Sequence, residues 1–190
     1  MTMFVHMMCI HSLFDTHHVE GYSKLLDIKK RRSEMQKHPT IRAACLDDCE
    51  MIAEFNIRLA EETEGKRLVP ATIAQGVRTL LMDDRHGRYF VACIDTTIII
   101  GQMMHTREWS DWRNGEIWWL QSVYVHPQHR RKGVFRALYR HIEQLAEQTA
   151  DVVGIRLYVE RHNAQAIDTY RSLGMTDAGY AVMERMFGTL

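Results

Sequence analysis

Leu120-Gln-Ser-Val-Tyr-Val-His-Pro-Gln-His-Arg-Arg-Lys-Gly-Val-Phe-Arg-Ala-Leu-Tyr139 changes character in its middle, and that change decides the fold. Its first residues alternate and branch at Cβ, as a strand does. Pro127 and three consecutive cations, Arg130, Arg131 and Lys132, then interrupt the run. From Gly133 onward the apolar period becomes helical, with Val134, Leu138, Ile142 and Leu145 on one face. A strand, a basic turn and a glycine that feed a helix N-terminus make an anion-binding arrangement. The first helical turn carries unpaired N–H groups and the positive end of the macrodipole, and a glycine lets an anion approach the main chain.

A second stretch repeats the strand–turn–helix plan: Leu157-Tyr-Val-Glu-Arg-His-Asn-Ala-Gln-Ala-Ile-Asp-Thr-Tyr-Arg-Ser-Leu-Gly-Met175. Ala166, Ile167, Tyr170 and Leu173 share one helical face, and Gly174 closes the helix. Joined by the helix that starts at Gly133, the strands Ile117–Val125 and Gly154–Val159 form a parallel pair. Ligands bind beyond the carboxyl ends of such strands, which brings Val125, the turn 130–136 and Asn163 around one mouth.

Together the two stretches resemble the GNAT superfamily of N-acetyltransferases. Val125-His-Pro127 followed by Arg130-Arg-Lys-Gly133-Val-Phe135 is similar to its acetyl-CoA signature, with Phe135 in place of a small residue. Asn163, Ala166, Tyr170 and Leu173-Gly174-Met175 match its second signature. The resemblance covers roughly residues 40 to 187 and implies an α/β fold with a central mixed sheet flanked by helices. The order βααβββαβαβ, read from periodicity, is the one this family shows. The implied function is transfer of an acetyl group from acetyl-CoA to a primary amine of a small molecule or peptide, by direct attack in a ternary complex. A non-catalytic acyl-CoA-binding or sensing domain is the alternative.

The resemblance also implies roles. Backbone amides from Arg131 through Lys132, Gly133, Val134 and Phe135 to Arg136 would take the pyrophosphate, with Arg130, Arg131 and Lys132 adding charge. The strand edge at Val123, Tyr124 and Val125 would pair with the pantetheine arm, and an amide near Val123 would polarise the thioester carbonyl. Asn163 and Ala166 would line the cofactor side. Tyr170 would protonate the leaving thiolate, since a phenol with a pKa of ~10 keeps its proton at neutral pH. The strand carboxylate that would take the amine's proton is sought near Trp119, which cannot serve. Glu108 and Glu116, acting through water, are the candidates, with His105 and His126 behind them.

Over the whole chain, 190 residues with 46% hydrophobic content suit one domain with a substantial core. Twenty-four basic against 24 acidic residues give no global case for a nucleic-acid partner. Apolar runs fall short of the ~20 residues of a membrane span. Cys9, Cys45, Cys49 and Cys93 have no zinc spacing, no metal is expected, and the usage reads as cytoplasmic. Residues 1–39 read as a poorly ordered extension, with Met35 as a second candidate start, and residues 40–190 as the domain.

Ile41–Ala44 reads as a strand, Asp47 with Glu50 as a capping box, and Pro70 as the opening of a second helix. Glu61, Glu62 and Glu64 crowd a helix C-terminus against the dipole, either solvated beside Lys66 and Arg67 or placed for a purpose. Ile98–His105 reads as a central strand, and Asn114-Gly115 as a hairpin turn. Trp109, Trp112, Trp118 and Trp119 read either as hairpin packing or as an aromatic wall suited to amines. Tyr180–Met186 reads as a final strand, and exposed edges are compatible with a homodimer.

Overall fold

The computed structural model describes residues 39–187, and all but the last position of the expected extension lies outside them. Five strands form one sheet in the order β1-β2-β3-β4-β5: Thr40–Ala43, Gly87–Ile94, Ile98–Ser110, Gly115–Val125 and Val152–Leu157. Neighbours are antiparallel except β4 and β5, which run parallel because a helix returns the chain between them. That helix is α3, Val134–Gln148; α1 is Cys49–Glu64, α2 is Pro70–Met82 and α4 is Ala164–Ser172.

The sheet separates two cores, as alternation along β2 requires. Phe90 and Ala92 point to the face covered by α3, where Met103, Trp118, Leu120, Leu138 and Ile142 pack. Tyr89, Val91 and Cys93 point to the other face, against Ile52 and Ala53 of α1 and Val77 of α2. The run Ile98-Ile-Ile-Gly-Gln-Met-Met belongs to the middle strand, as expected of a segment sandwiched by both layers. Helix α2 begins at Pro70, whose missing N–H costs nothing at that position.

Several local expectations are corrected. The cap ahead of α1 uses Asp48 instead of Asp47 and Glu50: its carboxylate accepts from the Cys45 amide at 2.8 Å and from both Arg42 nitrogens at 2.7 and 2.8 Å. A bidentate guanidinium outcompetes a carboxylate left in the helix. The hairpin turn is longer than Asn114-Gly115, with Arg113 N–H donating to the Ser110 carbonyl at 3.2 Å. Gly115 is needed for space, since a Cβ there would stand 2.4 Å from Val153 Cγ1 and 2.9 Å from the Asp151 carbonyl oxygen. The tryptophans form no single wall. Trp118 is buried against α3, Trp119 lies on the opposite face, and Trp109 and Trp112 are exposed near the hairpin tip.

Residues 180–186, expected as the last strand, have no strand structure, and Tyr180, Val182 and Met183 are exposed. Alternation marks a segment able to pair, but its ladder bonds must come from a neighbouring edge, and this one meets none among the described residues. Among the described residues no helix is long and apolar enough to cross a membrane.

His105 belongs to the α3-side core. Its ring stacks on Trp118 at 4.0 Å and 16°, it is 2% exposed, and burial, aided by the Arg107 and Arg88 charges, pushes its pKa down to about 4. The unfolded chain binds this proton near pH 6.5, so the contribution is intact above that pH and is lost as pH falls toward 4. Urea denaturation should show up to about 3 kcal/mol of stability lost across that window through this group. The slope over the same window should be shallower in His105→Leu.

Candidate active site

Strands β4 and β5 pair only from Glu116–Val152 to Leu120–Leu157. Beyond Leu120 the β5-facing edge of β4, residues 121–125, has no strand beside it among the described residues. A buried strand edge would be costly, so this one is a place for something extended to pair. At the same point β4 carries an extra residue relative to β3: Gln102 faces Tyr124 while Met104 faces Gln121. Ser122 takes the extra step with φ +48°, unusual for a residue with a Cβ.

The strand then leads into the basic turn. Arg131 at φ +61° and Gly133 at φ +80° alternate with right-handed or extended neighbours, a backbone form that turns successive amides inward as an anion nest. The first amide of the helix to find an acceptor is that of Ala137, which donates to the Gly133 carbonyl at 2.9 Å. The amides of Val134, Phe135 and Arg136 therefore sit ahead of the intrahelical ladder. A Cβ on Gly133 would meet nothing within 4 Å, so the space beside the turn is open. Phe135 does not obstruct it, because its ring turns back onto Tyr139 and Tyr170, at 6.2 and 5.7 Å between centroids. An open strand edge continuous with an amide nest fits an extended diphosphate ester such as a coenzyme A thioester.

Arg130 is placed differently from its neighbours. It donates from Nε to the Val125 carbonyl at 2.9 Å and from Nη2 to Glu62 Oε2, and lies over the Tyr124 ring at 5.4 Å. The Tyr124 phenol donates to the other oxygen of Glu62 at 2.8 Å. Glu62 is thus the member of the crowded C-terminal trio with a purpose: it ties the end of α1 to the end of β4, while Glu64 pairs with Lys66 at 2.6 Å. The sequence signal was the trio's conflict with the helix dipole; its partners, over sixty residues away, had none. Arg131, Lys132 and Arg136 remain exposed around the nest.

Tyr170 stands on α4, edge-on to Phe135 and so beside the first turn of α3. Burial raises its pKa above the ordinary phenol value, which keeps the proton available. Asn163 is the N-cap of α4, its Oδ1 accepting from the Ala166 amide at 3.0 Å, so its acceptor is spent on the helix.

The two carboxylates fall on opposite faces of the sheet. Glu116 lies on the α3 side, accepting from Trp118 Nε1 at 3.3 Å. Glu108 lies on the other side, accepting from Arg156 Nη1 at 3.0 Å and from Trp119 Nε1, with Trp119 stacked on Tyr158 at 4.4 Å. His105 is sealed in the core, whereas His126 is only half-buried, its Nδ1 without a partner among the described residues.

Residues 50–175 match the family model described as the acetyltransferase (GNAT) family. The chain belongs to this family. A possible acetyltransferase from Clostridium difficile 630 is 43% identical, with a TM-score of 0.74 over 80% of this chain and 99% of that one. A ribosomal-protein-alanine N-acetyltransferase from Brucella melitensis biovar Abortus 2308 (19% identical, TM-score 0.63, 79% and 99% covered) shares the fold. So does an aminoglycoside acetyltransferase from an uncultured soil metagenomic sample (17%, 0.60, 80% and 97%). No curated protein matches the sequence. As a GNAT acetyltransferase, the protein carries the mixed sheet with its flanking helices, and its sheet parts at the strand edge described above.

The Glu62–Arg130 pair is partly exposed, so its net worth is small and screened. A double-mutant cycle with Glu62→Ala and Arg130→Ala should give a coupling of about 0.5 kcal/mol in urea denaturation at low salt. It should vanish at 1 M salt.

Proposed function

We propose that this GNAT protein transfers an acetyl group from acetyl-CoA to a primary amine of a small molecule or peptide, both substrates being held together. The observation that carries the reading is the continuity of the β4 edge at 121–125 with the open amide nest at 131–136. Acetyl-CoA supplies the acetyl group as a thioester. The amides of Arg131, Lys132, Gly133, Val134, Phe135 and Arg136 hold its diphosphate, with Arg131 and Lys132 adding charge. Val123, Tyr124 and Val125 offer main-chain groups to the pantetheine arm, and the Val123 amide polarises the acyl carbonyl. Asn163 and Ala166 border the same arm through the start of α4. Arg130 serves by bracing the turn through Glu62 and Val125.

Tyr170 gives its proton to the departing thiolate; its raised pKa keeps it protonated throughout the neutral range. The amine must arrive at the acyl carbon as a free base. Glu108, on the face shared with Trp119 and Tyr158, is the better placed carboxylate for a water-relayed proton, and Glu116 lies behind the sheet. Because Glu108 already faces Arg156, this shelf carries no surplus negative charge. It favours an acceptor with one amine and a flat apolar body over a polycation.

A non-catalytic acyl-CoA-binding role is the second reading, favoured by one observation: both Glu108 oxygens are already engaged. A cytoplasmic setting is proposed from the free thiols of Cys45, Cys49 and Cys93, and a homodimer from the exposed apolar residues of the 180–187 tail.

Thiol release from acetyl-CoA across a panel of primary amines separates the two readings. Tyr170→Phe should lower kcat by roughly 100-fold while CoA affinity stays within a few-fold. Tight CoA binding without acceptor-dependent release would favour the sensing domain.

A further inference from the structure

Gln102 of β3, Asn56 of α1 and Tyr89 of β2 form a polar network beneath the β4 bulge, and none of the roles above uses it. Gln102, at the centre of β3 and fully buried, donates from Nε2 to Asn56 Oδ1 at 2.8 Å and to the Ser122 carbonyl at 3.4 Å. Asn56, from α1, donates from Nδ2 to the Tyr89 phenol oxygen at 2.9 Å. Tyr89, from β2, is 3% exposed, and its phenol also meets the Ser122 side chain.

This arrangement is costly to build. A buried amide loses its water, and Gln102 Oε1 has no partner among the described residues. Ser122 holds a backbone form that residues with a Cβ avoid. Leucine or methionine at position 102 would suit a position flanked by Ile100, Met103 and Met104 in the sheet. What the polar network achieves is local: it grips the carbonyl and side chain of the residue that takes the extra step in β4. The next amide is that of Val123.

We infer that Gln102, acting through Asn56, Tyr89 and Ser122, is a positioning residue that holds the β4 bulge at positive φ and thereby aims the Val123 amide at the acyl carbonyl. The inference rests on the transferase reading for its second half only. A network that served register alone would alter stability, whereas this one sets the direction of one donor. Its removal therefore acts on the chemical step more than on coenzyme binding, because the diphosphate nest lies beyond the bulge in a separate turn.

The test is Gln102→Leu, of similar volume and without the amide. Its crystal structure should show Ser122 relaxed from positive φ and β3–β4 pairing shifted toward regular register. Its kcat for acetyl transfer should fall by about 10- to 100-fold, with the Kd for CoA within about 3-fold of wild type. Adding Ser122→Gly should recover part of the lost kcat, since glycine reaches positive φ without steric cost. Should Gln102→Leu not fold, Tyr89→Phe, which removes one hydroxyl, should show a smaller loss of kcat with CoA affinity kept. Unchanged kcat, a parallel loss of kcat and CoA affinity, or a Ser122 that keeps its φ in Gln102→Leu would each overturn the inference. A wild-type protein with an intact bulge and no acetyl transfer to any amine would instead overturn the transferase reading, leaving the Ser122 geometry to decide the structural half.

Discussion

Main-chain hydrogen bonding is the constraint on which this molecule turns. Every buried N–H and carbonyl needs a partner, and β4 loses its neighbour β5 after Leu120. At that point β4 carries an extra residue at Ser122, and the chain leads through the basic turn into a helix whose first amides precede the intrahelical ladder. An open edge and an open helix start thus become one continuous run of unpaired donors and acceptors. Structure that would be a defect elsewhere is here the feature that the proposed coenzyme thioester would complete.

Side chains from the surrounding elements contact that run. Below the bulge, Gln102 donates to the Ser122 carbonyl and is linked through Asn56 to Tyr89, whose phenol meets the Ser122 side chain. Beside it, Glu62 bridges Tyr124 and Arg130 and so links the end of α1 to the start of the basic turn. The Phe135 ring, directed onto Tyr139 and Tyr170, leaves the nest clear and couples the start of α3 to α4. Charge follows the same economy. Glu62 answers Arg130 and Glu108 answers Arg156, so a chain with balanced charge still presents Arg131, Lys132 and Arg136 as exposed cations around the turn.

Most of the frame was legible from local pattern. The strand–turn–helix at 120–139, the central position of the Ile98 strand, the Pro70 helix start and the Asn163-to-Gly174 helix follow from period and punctuation alone, because these are properties of neighbours in the chain. The supports of the candidate site were not legible. Asn56 looks like any polar residue of an amphipathic helix, Tyr89 like a core aromatic, and Gln102 like an interruption in an apolar strand. Glu62 stood out for its conflict with the helix dipole, yet its partners lie far along the chain. The tryptophans show the same limit: crowding in sequence suggested a common wall, and pleating sent Trp118 and Trp119 to opposite faces.

The sequence by itself determined the elements up to the Asn163–Gly174 helix, their order and the family, since periodicity, glycine and proline placement and the two spaced signatures are all encoded over short spans. Tertiary structure alone decided which polar groups meet: that Arg130 braces against Glu62, that Glu108 and Glu116 are separated by a sheet, that residues 180–186 pair with no described edge, and that side chains of three other elements form a network beneath Ser122. Those outcomes depend on register and on which face each side chain takes. A shift of one residue in a strand reverses every face, and only the assembled sheet sets that register.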